Sequence, residues 1–517
     1  MNRRFAVFIG ADIGTSSTKA VAIDRSGAVV AEASHPYDFD RPKPGWSEQD
    51  PRVWWEATTH VLRRICAQVD PQQVQAVGLS GQMHGSVFLD AESISLAGTR
   101  PIGAIRPALM WNDQRTQAEC EQIAQAVGGV AELVRRAGNA PLTGFTLPKI
   151  LWLRAHEPAH YSRLAAVCLP KDFVRLSLTG ALASDVGDAA GTLLLDVDRR
   201  QWSGELALEV GIDPAVLPPV LESAAKAGQV TQWAARQTGL KAGTPVVAGS
   251  GDNQCGGVGA GVVRPGILLV TLGTSGVVFA HSDQCLKDDA SPAPGRVHTM
   301  CSATGTSTRK GAWTITGCML SAAGSLQWAR SVLAPHASFD ELTAEAADLP
   351  PGSDGLLFLP YLTGERCPHA DPCARGGWIG LTRSHTRAHL VRSVIEGVCL
   401  GMAQVFDVVV SLGLEVREVR IGGGGARSPL WRQTLADAIG HELVTVDNDE
   451  GPAFGAALLA GVGVGAFESV QQACANCVRT QSRTAPGPNA PVMRELRAHY
   501  NSLYPLLRPT MHALSGR

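Results

Sequence analysis

The chain has little charge and few aromatic side chains. Asp, Glu, Lys and Arg make up 18% of its 517 residues, and Phe, Trp and Tyr only 5%. The formal net charge is −2, with 45 Lys and Arg against 47 Asp and Glu. Without a basic block, nothing draws such a chain generally to nucleic acid or to an anionic membrane. No stretch approaches the roughly 18 uninterrupted apolar residues of a transmembrane helix, so none is expected. Behind Met1-Asn-Arg-Arg4 there is no signal-peptide cleavage pattern, and a cytoplasmic location is the expectation. The 12 cysteines are scattered, as reduced thiols would be. Cys474 and Cys477 have redox or half-zinc spacing but no second pair nearby, and are read as incidental. Cys367 and Cys373 around His369 are too sparse for a zinc site.

Glycine is abundant, with 56 residues in a chain that is 45% hydrophobic. That composition fits a packed α/β protein with many tight strand-to-helix turns. The length exceeds one ordinary core and predicts two large domains, placed at 1–264 and 265–517.

The organising stretch is Thr244 to Gly261. A β-prone run, Val246 to Ala248, ends in Gly249-Ser250-Gly251 and presents Asp252 and Asn253. A carboxylate at the C-terminal end of a buried strand sits where α/β proteins place their ligands. Read alone, Gly-Asp-Asn is equally a turn or a helix cap.

Near the N-terminus a strand, Phe5 to Ala11, enters Asp12-Ile-Gly-Thr-Ser-Ser-Thr-Lys19 and then a second strand, Ala20 to Ile23. The turn is rich in glycine and hydroxyls, and its N–H groups could surround a phosphate. Its spacing is not that of a Walker A loop, and it does not open a helix. The same plan returns at Ile267 to Ala280, around Leu272-Gly-Thr-Ser-Gly276. Two such hairpins predict an internal duplication, with one phosphate turn on each side of a cleft.

Polar groups gather at further strand ends. Val74 to Leu79 leads into Gln82, Met83 and His84, and Ala108 to Met110 leads into Trp111, Asn112, Asp113 and Arg115. His84 is either a satisfied core histidine or, from its strand-end position, a ligand-facing one. The segment from about Asp90 to Arg106 reads as a polar, Gly-containing excursion. Residues 183–192 read as a polar loop, and 480–491 as a loop or linker. Val492 to Leu507 reads as a terminal helix. A strand, Glu418 to Ile421, enters Gly422 to Gly425, where bare backbone could border a flat nucleoside.

Together these stretches resemble the FGGY family of carbohydrate kinases over roughly residues 5 to 508. The resemblance rests on Asp12 to Ser16, Gly81 to Gly85, Trp111 to Arg115, Leu169 to Asp172 and Ser184 to Gly191. It continues through Gly251 to Asn253, Leu272 to Gly276, Tyr361 to Arg366, Gly376 to Leu381 and Gly422 to Ser428. It implies two actin/hexokinase-like (ribonuclease H-like) α/β domains facing across a cleft, and ATP and Mg²⁺ as cosubstrate and metal. Asp252 would then be the general base. Met83, His84, Trp111, Asp113, Asp252 and Asn253 would form the sugar pocket, and Asp12 would hold Mg²⁺ through water. Thr15, Ser16 and Thr18, with Gly273, Thr274 and Ser275, would surround the phosphates, while Gly424, Gly425 and Ala426 would border the adenosine. Within the family the Met83–His84 pair resembles the branch acting on D-xylulose, and a kinase for ribulose or glycerol is the alternative. A non-catalytic ATP- or sugar-binding regulator is disfavoured by the intact Asp12 and Asp252. The partners implied are the sugar and ATP, with neither nucleic acid nor membrane, and a homodimer is compatible with the resemblance. Residues 90–106 look longer than the corresponding turn in relatives, which implies an added local hairpin. Where some relatives have an adenine-contacting asparagine near the end of the glycine loop, this chain has Pro429.

Overall fold

A computed structural model describes residues 6–289, 293–447 and 451–515. Phe5, the expected start of the first strand, lies outside the described residues.

Two mixed sheets carry the two halves. The first comprises β1 (Val7–Ile13), β2 (Ser17–Ile23), β3 (Val29–Pro36), β4 (Val74–Gly81), β5 (Lys226–Gln229), β6 (Pro245–Val247) and β7 (Ser250–Gly251). Its order is β5-β6-β4-β1-β2-β3, with β7 also on β4. The second comprises β8 (Gly266–Leu272), β9 (Gly276–Ser282), β10 (Val297–Cys301), β11 (Trp313–Met319), β12 (Val416–Gly422), β13 (Leu443–Val446) and β14 (Thr480–Thr484). Its order is β10-β11-β9-β8-β12-β13-β14.

The two sheets share one plan. In each, three strands run antiparallel (β1-β2-β3; β8-β9-β11), and the first of them lies parallel to a strand reached by crossover (β4; β12). A second parallel strand and an antiparallel edge follow (β6 and β5; β13 and β14). The duplication expected from the two hairpins is therefore present over six strands of each sheet, with β7 added to the first and β10 to the second. β1 and β8 are central in their sheets, which is why both read as nearly continuous apolar runs.

The halves meet through two short-residue helices, α4 (Asp252–Gly259) and α8 (Gly451–Gly463). (Helices are numbered α1 Pro51–Cys66, α2 Thr146–His156, α3 Pro170–Thr179, α5 Ala323–Leu333, α6 Arg387–Val410, α7 Pro429–Ile439 and α9 Ala490–Ser515.) Although α8 belongs to the second half by sequence, it packs on β1 and β4 of the first sheet. A Cβ on Gly10 would lie 1.8 Å from the Ala453 carbonyl oxygen, and one on Gly78 2.0 Å from that of Ala456. Between the helices, a Cβ on Gly455 would fall 1.9 Å from the Cys255 carbonyl oxygen. Gly455→Ala should therefore separate α4 from α8 and cost about 1–3 kcal/mol, as overpacking does. Urea unfolding would show it; a midpoint equal to wild type would mean that the helices slide apart freely.

Four local expectations are corrected. The excursion after Asp90 is a short helix, Ala91–Leu96, rather than a hairpin, because the Asp90 carboxylate caps it through the Ser93 N–H at 2.9 Å. Residues 183–192 are a buried strand-and-helix segment instead of a polar loop. Residues 480–484 pair with β13 as the edge strand β14. The terminal helix continues through Pro505 and Pro509 to Ser515. Tertiary bonds hold it there: Asp371 Oδ2 accepts from Tyr504 Oη at 2.7 Å and lies 2.8 Å from His512 Nε2. By length and composition α6 could cross a membrane, but 89% of its most apolar window is buried as the core helix of the second half. The thiols of Cys474 and Cys477 donate to the backbone carbonyls of Val258 and Arg25, at 3.3 and 3.7 Å.

Candidate active site

Parallel pairing places Ser250 beside Ser80 and Gly251 beside Gly81, so the ends of β7 and β4 emerge together next to the end of β1. Asp12, at the end of β1, accepts a hydrogen bond from Ser80 Oγ at 2.8 Å. Asp252 is the first residue of α4, and Gly251 is the cap. The turn reading fails on this geometry, and the Asp252 side chain is not the cap either. Burial, reinforced by the nearby charge of Asp12, pushes the Asp252 carboxyl up to about 7. It is thus poised at neutrality, whereas an ordinary carboxylate would be fully ionised.

Behind this strand end lies a charged cluster with no exposed side chain. Lys171 Nζ sits 2.7 Å from Asp172, 2.8 Å from Asp185 and 3.2 Å from Asp188, while Arg175 is 2.9 Å from Asp172. Asp185 Oδ2 accepts from Ser250 Oγ at 2.8 Å and Ser223 Oγ at 2.9 Å, and Arg175 donates to the Ala248 carbonyl at 2.6 Å. Burial would raise Asp172, but Lys171 and Arg175 hold it below the usual range. Burial and the neighbouring Asp185 and Asp172 raise Asp188 well above it, against the pull of Lys171. Two cations face three carboxyl groups, and of these Asp188 is the one driven toward its protonated form. The cluster clamps Ala248 and Ser250, and thereby the strand end that presents Asp252. The sequence showed these residues only as separate motifs; nothing in their spacing says that they converge.

Of the expected sugar-pocket residues, several come together. Met83 is buried, with its sulfur 3.6 Å from Asn253 Nδ2. His84 has a left-handed φ of 65°, stacks on Phe145 at 4.2 Å and binds the Gly191 carbonyl through Nδ1 at 2.9 Å. That bond requires the proton on Nδ1, and burial lowers the imidazole pKa to about 3, so Nε2 is a neutral acceptor. Trp111 is half-exposed and donates from Nε1 to Thr15 Oγ1 at 2.9 Å, tying this pocket to the first hairpin. Asp113 differs from the expectation. It is fully buried, and its oxygens accept from the Ser47 N–H at 2.7 Å and from Arg115 at 2.7 to 3.0 Å. It braces the pocket wall and has no face toward a sugar.

On the nucleotide side, Thr15, Ser16, Gly273, Thr274 and Ser275 occupy the two hairpin turns. Thr18 does not: it is buried in β2 with its hydroxyl 3.3 Å from Tyr37 Oη, because strand alternation turns it inward. Gly424, Gly425 and Ala426 form a short 3₁₀ turn after β12. A cavity of about 920 Å³ lies between this turn, Gly273–Thr274 and the start of α5, with Gln327, Thr343 and Pro429 in its wall. A second, of about 540 Å³, runs from Gly422–Gly424 to Asp252 and Asn253, and shares Gly424 and Arg427 with the first. Gln327 and Thr343 were missed because they sit on ordinary amphipathic helices.

Each half, with its mixed sheet and its glycine- and hydroxyl-rich hairpin, is matched by one family model. The N-terminal domain model of the FGGY family of carbohydrate kinases matches residues 7–259, and the C-terminal domain model residues 268–464. The chain belongs to the FGGY family of carbohydrate kinases. It is 38% identical to the xylulose kinase of Escherichia coli (strain K12) over 506 residues, 98% of this chain and 100% of that one. It is 35% identical to the xylulose kinase of Bacillus subtilis (strain 168), over 96% of each chain. Among solved structures, a kinase from Brucella ovis described as a "xyloylose kinase" superposes with a TM-score of 0.87 at 33% identity, covering 98% of this chain and 100% of that chain. The xylulose kinase of Rhodospirillum rubrum gives 0.87 at 30% identity, with the same coverage. As an FGGY kinase the protein transfers a phosphoryl group from ATP to a carbohydrate.

Proposed function

We propose that the protein phosphorylates D-xylulose at its terminal hydroxyl, giving D-xylulose 5-phosphate, with ATP as donor. The observation that carries this reading is full-length similarity to xylulose kinases, joined to a Met83–His84–Asn253 pocket beside Asp252. Residues 1–264 would supply the sugar pocket, the first hairpin and the base, and residues 265–517 the second hairpin and the adenosine loop.

Phosphoryl transfer is mainly positioning and charge stabilisation. Asp252 takes the proton of the attacking hydroxyl. Thr15 and Ser16 on one side and Gly273, Thr274 and Ser275 on the other confine the phosphates. Gly424 and Gly425 face the adenosine in the larger cavity and Ala426 borders it from the smaller one. Pro429 has no amide to offer the base, which leaves Gln327 and Thr343 among the polar neighbours. Among the described residues no group of three or more His, Cys, Asp or Glu side chains could hold a metal. A single half-buried Asp12, oriented by Ser80, suits Mg²⁺, which keeps most of its waters and takes phosphate oxygens. When bound, the ion offsets charge on the transferring group.

The test is a coupled ADP-release assay over ketoses and polyols. D-Xylulose should give the highest kcat/KM; a higher value for ribulose or glycerol would reassign the acceptor. In the same assay kcat/KM should fall about tenfold per pH unit below an acid limb near 7, because the base must be ionised. Asp12→Asn should move that limb to lower pH by removing the like charge.

A further inference from the structure

The second half contributes a polar side chain that packs against Phe145, beside His84 of the first half's sugar pocket. His298 lies on β10, and Met300, two residues on, faces the same way. Met300 packs with Met83 and Phe145 in one cluster, and its sulfur is 3.4 Å from Gln254 Nε2. The His298 ring is 5.5 Å from that of Phe145, which itself stacks on His84.

The state of His298 follows from its partner. Asn139 donates its amide group to the carbonyls of Ala137 and Thr299, both at 3.1 Å. This fixes the Asn139 oxygen toward His298 Nδ1, 3.0 Å away. Nδ1 therefore carries the proton, and Nε2 bears a lone pair. That nitrogen is buried without a hydrogen-bond partner, as is Gln254 Oε1 beside Met83 and Met300. A buried acceptor left unsatisfied is costly unless a ligand completes it. With His84 Nε2, three acceptors lie around Phe145, Met83 and Met300, and each can be completed by a hydroxyl donor.

We propose that His298 Nε2 and Gln254 Oε1 accept hydroxyl hydrogen bonds from the part of the sugar remote from the phosphorylated position. Selectivity for a polyhydroxylated ketose is then read by both halves of the molecule. This inference rests on the proposed kinase reading only in needing a polyhydroxylated acceptor.

His298→Asn keeps a polar atom near Nδ1 and loses the one at Nε2; His298→Gln does the reverse. The KM values for sugar and for ATP would be measured for both, using whichever acceptor wild type phosphorylates with the greatest kcat/KM. His298→Asn should raise the sugar KM about tenfold and leave the ATP KM within about twofold, and His298→Gln should retain much of the wild-type sugar affinity. A role only in packing against Asn139 predicts the opposite order. That order, an unchanged sugar KM, or equal rises in both KM values would overturn the proposal. If His298→Asn does not fold, Gln254→Met decides it by the same split between sugar and ATP. A wild-type preference for another acceptor would overturn the xylulose reading and leave this one standing.

Discussion

Asp252→Asn is expected to lower kcat by about 10²–10⁴-fold while the protein still folds and binds sugar. Asn keeps the size of Asp and one acceptor oxygen but cannot take a proton at neutral pH. Because Gly251 is the helix cap, the substitution removes no capping bond. The pH dependence of stability gives a second readout. The folded carboxyl is raised above its unfolded value, to about 7, by burial and then by Asp12. Its contribution to stability is therefore whole at acid pH and lost as pH rises through about 7. The amide carries no such penalty. The variant and wild type should melt alike near pH 4, and the variant should melt higher at pH 8. Near-normal kcat would remove Asp252 as the base; a variant that melts lower at pH 8 would place the carboxylate in a stabilising contact instead.

Lys171→Met should be the most destabilising substitution outside the cleft. The ammonium is the shared partner of Asp172, Asp185 and Asp188, and none of the four has any exposed side-chain surface. Breaking a buried pair from one side costs about 3–5 kcal/mol, since charge is left without compensation. Without the ammonium the variant can relieve itself only by protonating carboxyls, Asp188 first, since burial and its acidic neighbours already raise it. Its stability deficit should therefore shrink as pH falls. Equilibrium urea unfolding at pH 8 and pH 5 would measure both effects. A midpoint near wild type at pH 8 would mean that the cluster is dispensable. Since Asp185 also anchors Ser250, residual folded enzyme should show a lower kcat from a loosened Asp252.

Much of this molecule was legible in the chain itself. The two hairpins stood out because each is a continuous apolar strand broken by a glycine and hydroxyl turn, and that local pattern survives burial. Asp252 and the glycine loop were visible for a similar reason: strand-to-helix turns that approach ligands must be short and small. Local chemistry also decided helices such as α1 and α7. What the sequence could not show was which polar residues face inward. Thr18 and Asp113 have the composition of ligand contacts, yet strand alternation and Arg115 turn them into supports. The segment around Asp185 and Asp188 reads as a solvated loop, and only the arrival of Lys171 and Arg175 from α3 makes its burial tolerable. His298 carries no motif at all. Its role depends on β10 of the second sheet reaching Phe145 of the first half, a contact between residues 153 positions apart. Local propensity acts over a few residues, whereas the pairing of buried charges and orphan acceptors is settled when distant elements pack together.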